Sequence, residues 1–307
     1  SAWKANEKFL VYTVSGPEKK TLDEHYFATG YEIFPDNDKK WMREMDSVTF
    51  SHAFMKYGAI HWGPGHLTEE QLRILQRFSK VFEQSYTRFL DLQKAEAQAR
   101  EAQIELALER VRARTMAMQK SEELGEVSHV MNEQLQLLNL KNYLAGFLID
   151  YRNSNDLEVW RSDPSGLLLT KIRVPYFDHP VFNSFVESKE KGLDFSTLCL
   201  GFEEKNKWVD HALQYSPSAS AEMKEFVYNG AGYAVSLAYM KNVALFMENF
   251  EGIPFSDEEN AILKRFGKVF EQTYTRFLDL QKAEAQAREA QVEAALERVR
   301  SRTIGMQ

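Results

Sequence analysis

The run YTRFLDLQKAEAQAREAQ occupies residues 86–103 and returns, letter for letter, at 274–291. It is polar and has no catalytic character. Outward from it the identity widens. Residues 75–119 match 263–307 over 45 positions, with differences at only eight: 76, 79, 85, 104, 106, 113, 116 and 117. Most swaps are mild, such as Ser85 for Thr273 and Ile104 for Val292. Further back the parallel is fainter. TEEQLRIL from Thr68 parallels SDEENAIL from Ser256, and AFMKYGAI from Ala53 parallels AYMKNVAL from Ala238. KFLVYTVSG from Lys8 parallels LDFSTLCLG from Leu193, and Glu24-His25 parallels Asp210-His211. Self-similarity at a fixed period marks tandem units. The second unit has a further stretch, from about Lys120 to Phe185, without a counterpart in the first. The reading predicts a piece of a longer array that opens within one unit, runs through a whole one and stops where a third would start.

In the whole unit, Leu124, Val127, Met131, Leu135 and Leu138 fall at helical spacing and predict a helix over 120–140. YLAGFLIDY from Tyr143, DLEVWRS from Asp156 and LLLTKIRV from Leu167 read as strands, parted by turns at 153–155 and 163–166. Helices are predicted over 180–191, 202–215 and 220–227, with a strand over 193–200. Gly230 and Gly232 form a turn before two strands, GYAVSLAYM and VALFMENF. Ser256 with Glu259 makes a capping box for a long helix. The fold class is therefore α+β, an antiparallel sheet flanked by helices, with units linked by long coiled-coil-type helices.

From Thr68 to Leu140 there is no proline, and Gly125 is the only glycine. Unbroken, this helix would hold about 70 residues and span roughly 100 Å. Leu75, Phe78, Phe82 and Phe89 are bulky and are expected to pack on the preceding sheet. Beyond Leu92 two heptad seams compete. One reads Leu92, Ala95, Ala99, Ala102, Leu106, Glu109, Ala113, Met116. The other reads Leu90, Ala97, Ile104, Val111, Met118, with Leu108 in support. Sustained heptads with charge on the other faces argue for a coiled coil. The second seam varies less between the copies and is preferred. It predicts a parallel homodimer through Leu90, Ala97, Ile104, Leu108, Val111 and Met118, and through Leu278, Ala285, Val292 and Val299 in the second copy. The bland alternative is a solvated connector held by pairs such as Glu96–Arg100.

Composition bounds the function. The 307 residues are 44% apolar and 27% charged, with 13% aromatic, enough for real cores. A net charge of −7 argues against general nucleic-acid binding. The single cysteine, Cys199, excludes an intramolecular disulfide and a cysteine zinc site. No membrane span and no signal peptide is read, so a cytoplasmic setting is the expectation. No GxxxxGK[ST], HExxH, GxSxG, phosphoacceptor His box or ATP lid is found, and no enzyme is expected. His61 and His66 flank WGPG without a third ligand nearby and read as surface residues. His25 and His211 occupy matching places and read as packing residues.

The helical segments, KRFGKVFEQTYTRFLDLQKAEAQAREAQ and ALERVRARTMAMQKSEEL, resemble the tandem GAF-type sensory modules of bacterial signalling proteins, especially of Bacteroidetes. The resemblance implies a sensory array upstream of a histidine kinase or a nucleotide cyclase. It is weaker in the domain bodies: Cys199 does not match a chromophore cysteine, and Asn206-Lys207 alone is no cyclic-nucleotide motif. The expected organisation is residues 1–67, half of a GAF-like unit; 68–140, a stalk entering the next; 141–255, a whole GAF-like body; and 256–307, a second stalk. A small-molecule pocket is expected between sheet and inserted helices, lined by Trp160, Tyr176, Trp208 and Tyr239. The sequence names no cofactor. The function expected is non-catalytic sensing, relayed through a dimeric stalk to an output domain outside this chain. The alternative is a structural dimerisation or spacer array of degenerate domains that bind no ligand.

Overall fold

The computed structural model describes residues 8–29, 35–63, 65–149, 151–162, 169–217 and 219–304; of residues 162, 169, 170 and 299–304 it describes the backbone alone. The expected turn at 163–166 and the Val299 side chain lie outside this set. The chain divides into two compact units, residues 1–99 and 100–307.

The first unit begins with β1 (Phe9–Ser15), α1 (Gly16–Ala28), α2 (Asp36–Glu44), β2 (Ser47–Met55) and β3 (Gly58–Trp62), in a sheet ordered β1-β2-β3. A helix, α3 (Glu69–Met116), starts here and ends in the second unit. Thr68 and Gln71 cap it reciprocally: the Thr68 amide donates to Gln71 Oε1 at 2.8 Å, and the Gln71 amide to Thr68 Oγ1 at 3.3 Å.

The second unit continues with α4 (Leu124–Leu137), β4 (Leu144–Ile149), β5 (Leu157–Ser162), β6 (Leu169–Val174), α5 (Pro180–Glu190), β7 (Phe195–Gly201), α6 (Phe202–Gln214), α7 (Ala221–Asn229), β8 (Gly232–Tyr239), β9 (Val243–Asn249) and α8 (Asp257–Ile304). Its six strands pair antiparallel in the order β6-β5-β4-β9-β8-β7. The α+β class is as expected, and the helices enter between strands where the sequence placed them. Gly230 and Gly232 are required by close approach: a Cβ on Gly230 would lie 2.3 Å from the Phe250 carbonyl oxygen, and one on Gly232 2.9 Å from Gly252 Cα.

Strand alternation divides the sheet's side chains between two cores. On one face Ala145, Phe147, Ala238, Val243, Leu245 and Met247 join α4, the second half of α3 and the first half of α8. On the other, Leu144, Leu148, Tyr233, Val235, Leu237 and Phe246 meet α5, α6 and α7. Both faces are covered, and β9 is buried along its whole length.

Three expectations need correction. The helix over 68–140 is broken: α3 stops at Met116, a 3-10 turn follows at Ser121–Glu123, and α4 starts at Leu124. Glu123 Oε1 accepts from the Gln119 and Lys120 amides, and Arg114 bridges Glu123 and Glu126 across the break. The break lets the stripes of α3 and α4 enter one core. Consequently Ile104, Leu108, Val111 and Met118 are buried within the chain's own fold and offer no open dimer seam. Finally, Phe78, Phe82 and Phe89 are exposed, whereas their repeats Phe266, Phe270 and Phe277 are buried. Among its described residues the first unit has no counterpart of β4 and α4, which help to cover them in the second.

The two units share one anchoring device. Lys205, the fourth residue of α6, is fully buried and donates from Nζ to the carbonyls of Val227 (2.6 Å) and Tyr228 (2.8 Å), at the C-terminal end of α7. Lys19, the fourth residue of α1, is buried likewise, donates to the Met42 carbonyl near the end of α2 and pairs with Asp23 at 2.6 Å. A cation among the last carbonyls of a helix satisfies acceptors that have no partner in the helix and meets the negative end of its dipole.

Two outcomes are expected. Lys205→Ala should destabilise the second unit by roughly 2–3 kcal/mol in urea unfolding, because it orphans two carbonyls and leaves a void. Residues 9–62 should exchange amide hydrogens faster than 143–250, since among the described residues the three-strand sheet leaves β3 unpaired on its outer side. Equal protection in both would contradict this.

Candidate functional site

Between the second face of the six-stranded sheet and α5–α7 lies a cavity of about 80 Å³. That is room for several water molecules or a ligand of a few heavy atoms. Its walls are apolar: Leu148 and Val159 from β4 and β5, Val235 and Leu237 from β8, Phe185 from α5, and Val209 and Leu213 from α6. Trp208 of α6 closes one side, with its ring 5.8 Å from Phe182 and 6.4 Å from Tyr233.

One end is polar. Glu248 of β9 lines the cavity and is buried, and Tyr233 Oη donates to its Oε2 at 2.6 Å. The two residues reach this point from adjacent strands, where Val235 pairs with Glu248. Arg161, near the end of β5, lines the cavity beside them and donates from Nη2 to Ser216 Oγ at 3.3 Å. Burial pushes the Glu248 carboxyl above the usual carboxylate range, against the opposing pull of Tyr233 and Arg161. Burial, reinforced by the Glu248 charge, raises the Tyr233 phenol well above its usual value. The arrangement offers a hydrogen-bond acceptor, a cation and a hydroxyl at the end of an apolar slot. It can orient a small molecule that has one polar group.

Of the four aromatic residues expected here, Trp208 alone lines the cavity. Trp160 points to the opposite face of the sheet and packs against the cluster of α4 and α8; its neighbour Arg161 takes the cavity side. Tyr176 is exposed, with its hydroxyl donating to Asn183 Oδ1 at 3.1 Å. Tyr239 is buried on the correct face, but it fills space between Tyr151 and Phe185, and its hydroxyl meets Ser196 Oγ at 3.0 Å. Arg161, Glu248, Tyr233 and Ser216 were not singled out by the sequence. The signal was there for one of them: Glu248, an ionisable residue that follows the apolar run VALFM in its strand.

The other residues weighed for chemistry stay apart from this site. Cys199 is exposed on β7. His211 bonds the Pro175 carbonyl at 2.8 Å and lies against Phe177, the packing role expected of it, while its counterpart His25 is exposed. His61 is exposed on β3, with its ring tilted against those of Phe50 and His52. Among the described residues no group of three or more His, Cys, Asp or Glu could hold a metal ion. None of the described helices is long and apolar enough to cross a membrane.

No protein-family model matches the chain, and no curated protein matches its sequence. Solved structures similar to it include the GAF domain of an Acinetobacter phosphoenolpyruvate-protein phosphotransferase. There the identity is 12% and the TM-score 0.34, over 55% of this chain and 91% of that one. They also include the free methionine-R-sulfoxide reductase of Neisseria meningitidis in complex with its substrate. There the identity is 15% and the TM-score 0.36, over 58% of this chain and 91% of that one. At such scores neither likeness carries a ligand or a reaction to this chain.

The buried carboxylate makes a pH prediction. Its folded-state pKa lies above its unfolded value, so the cost is present when both states are ionised. That cost fades as pH falls through the folded pKa towards about 4.3. Glu248→Gln should therefore be more stable than the native chain at pH 8, by about 1 kcal/mol. The difference should shrink steadily towards pH 4.5, as read by urea unfolding at each pH. A gap that stays constant with pH would show that the carboxyl carries no such penalty.

Proposed function

We propose that this chain is a non-catalytic sensory and signal-relaying segment built from GAF-type units. In this reading, the cavity of the 100–307 unit takes a small, mostly apolar molecule with one polar group. The observation that carries the proposal is the polar end of that cavity: Glu248, Tyr233 and Arg161 converge on a slot that is otherwise apolar. A core built only for stability gains little from a buried carboxylate, whereas a recognition site needs one well-placed polar group.

The relay follows from the sheet. Val235 and Leu237 line the cavity, and Ala238, on the same strand, faces α8 in the opposite core. The strand β9 likewise presents Phe246 and Glu248 to the cavity and Leu245 and Met247 to the helices. Ligand binding that shifts these strands would bias the seating of α8, and α8 would carry the bias onward. The output domain, in keeping with the resemblance of the helical segments, would be a histidine kinase or a nucleotide cyclase outside this chain. Self-association through the exposed parts of the long helices belongs to the same reading. Among the expected stalk residues, Ala97, Ala285 and Val292 remain exposed and Leu90 and Leu278 half-buried. The second reading, a spacer that binds nothing, is favoured by the small size of the cavity.

Thermal unfolding of the whole chain with a panel of short-chain amines, carboxylates and alcohols separates the two. A ligand at a hundred times its Kd adds about 2.7 kcal/mol of stability. At least one compound should raise the transition by several degrees, and Arg161→Met or Glu248→Gln should abolish the response without unfolding the chain. If no compound moves the transition, the spacer reading stands.

A further inference from the structure

One histidine fastens the start of α5, the helix that walls one side of the cavity. This helix opens with Pro180, which has no amide proton, and the amides of Val181 and Phe182 have no partner within the helix. The Asn183 amide is the first to reach back, to the His179 carbonyl at 2.9 Å. The Val181 amide donates to His179 Nδ1 at 3.3 Å, so the imidazole caps the helix. An N–H is accepted only by a bare ring nitrogen, which puts the proton of the ring on Nε2. From Nε2 the ring donates to the Glu204 carbonyl, in the first turn of α6, at 3.1 Å. One neutral imidazole thus ties the start of α5 to the start of α6. His179 is buried, stacked on Phe177 at 5.0 Å, with the Trp208 ring 6.5 Å away.

What these two helices enclose is the cavity. Val181, Ser184 and Phe185 line it from α5, and Trp208 and Val209 from α6. The segment that leads into α5 is held to α6 at its other end as well, where His211 bonds the Pro175 carbonyl and lies 4.0 Å from the Phe177 ring.

We propose that His179 is a pH-operated latch on this wall: neutral, it closes α5 against α6, and with a second ring proton it releases the first turns of α5 and opens the cavity. A proton on Nδ1 would face the Val181 N–H, donor against donor. It would also place a positive charge at the positive end of the α5 dipole. The charged and titratable groups about the ring come from α6: Glu204, Lys207 and His211. Glu204 Oε2 lies 3.6 Å from Nε2 and favours the cation, but that carboxylate is partly exposed and already paired with Lys207 at 2.6 Å. Asp178, which precedes the ring in the chain, accepts from Asn183 Nδ2 at 2.8 Å. Burial decides the balance: it holds the imidazole below its ordinary range, with Lys207 and His211 in support and Glu204 opposed. The closed form therefore resists the proton more than the open form, whose value is about 6.5. The latch is fully held above about pH 6.5 and weakens as pH falls towards the closed-state value. Its use in admitting a ligand rests on the sensory reading above; the latch itself does not.

Hydrogen exchange of the whole chain between pH 8 and pH 5, corrected for the intrinsic rate, tests this. Exchange in α5 should be level from pH 8 to about 6.5 and then rise by up to about tenfold per pH unit, while β8 and β9 stay level. His179→Asn should keep exchange slow and remove the rise, because an asparagine oxygen caps a helix and takes up no proton. His211→Gln should leave the rise in place. A level native profile overturns the proposal, as does a rise that survives His179→Asn or is lost in His211→Gln. These measurements use no ligand. A level profile removes the latch and leaves the sensory reading standing, whereas a compound panel without a response removes that reading and leaves the latch.

Discussion

Phe266 and Phe270 are wholly removed from water because three separate elements close over one face of one helix. The sheet presents Phe147 to them, with its ring 4.1 Å from that of Phe270. The end of α3 and the whole of α4 complete the cover. The second unit is organised around meeting this demand. Each large aromatic side chain taken out of water is worth about 2–3 kcal/mol, so a face bearing four of them decides what must lie beside it. The matching face on the first half of α3 makes the same demand and goes unanswered among the described residues of its unit. One sequence thus has two environments, and the difference lies entirely in the neighbours.

The sheet separates this demand from the ligand-sized space. On β8 and β9 alternate residues belong to different cores, so the strands form a partition one backbone thick between the cavity and α8. On the cavity side the fold tolerates a buried carboxylate, held by a tyrosine hydroxyl with an arginine near. On the helix side the contacts are apolar packing, with polar ties at the rim such as Ser236 to Asn260 at 2.8 Å. Such a division is what the proposed relay requires.

Much of the fold was legible in the sequence. The alternation in YLAGFLIDY and DLEVWRS, the glycine turn before GYAVSLAYM and the Ser256–Glu259 box all located real elements. Periodicity also showed that Ile104, Leu108 and Val111 had to be covered. It could not say by what, because a stripe facing its own core and one facing a twin helix have the same spacing. The break after Met116 carries no proline or glycine in the first copy, although the second copy has Gly305 in place of Ala117, a residue suited to ending a helix. At the cavity the error was one of parity. Trp160 and Arg161 are adjacent, and a single residue decides which face each serves. Size and aromaticity favoured the tryptophan, but the register gave the place to the arginine.

The interruption at 117–120 changes what a twist can do. A continuous helix would pass rotation straight through the unit as an axle does. Here α3 ends, and α8 begins alongside its final turns, joined by Arg265 to Glu101 and Glu105 and by meshed apolar side chains. The two helices thus touch through side chains and share no backbone, so a displacement of the end of α3 would reach α8 across that packed contact and not along a continuous helix.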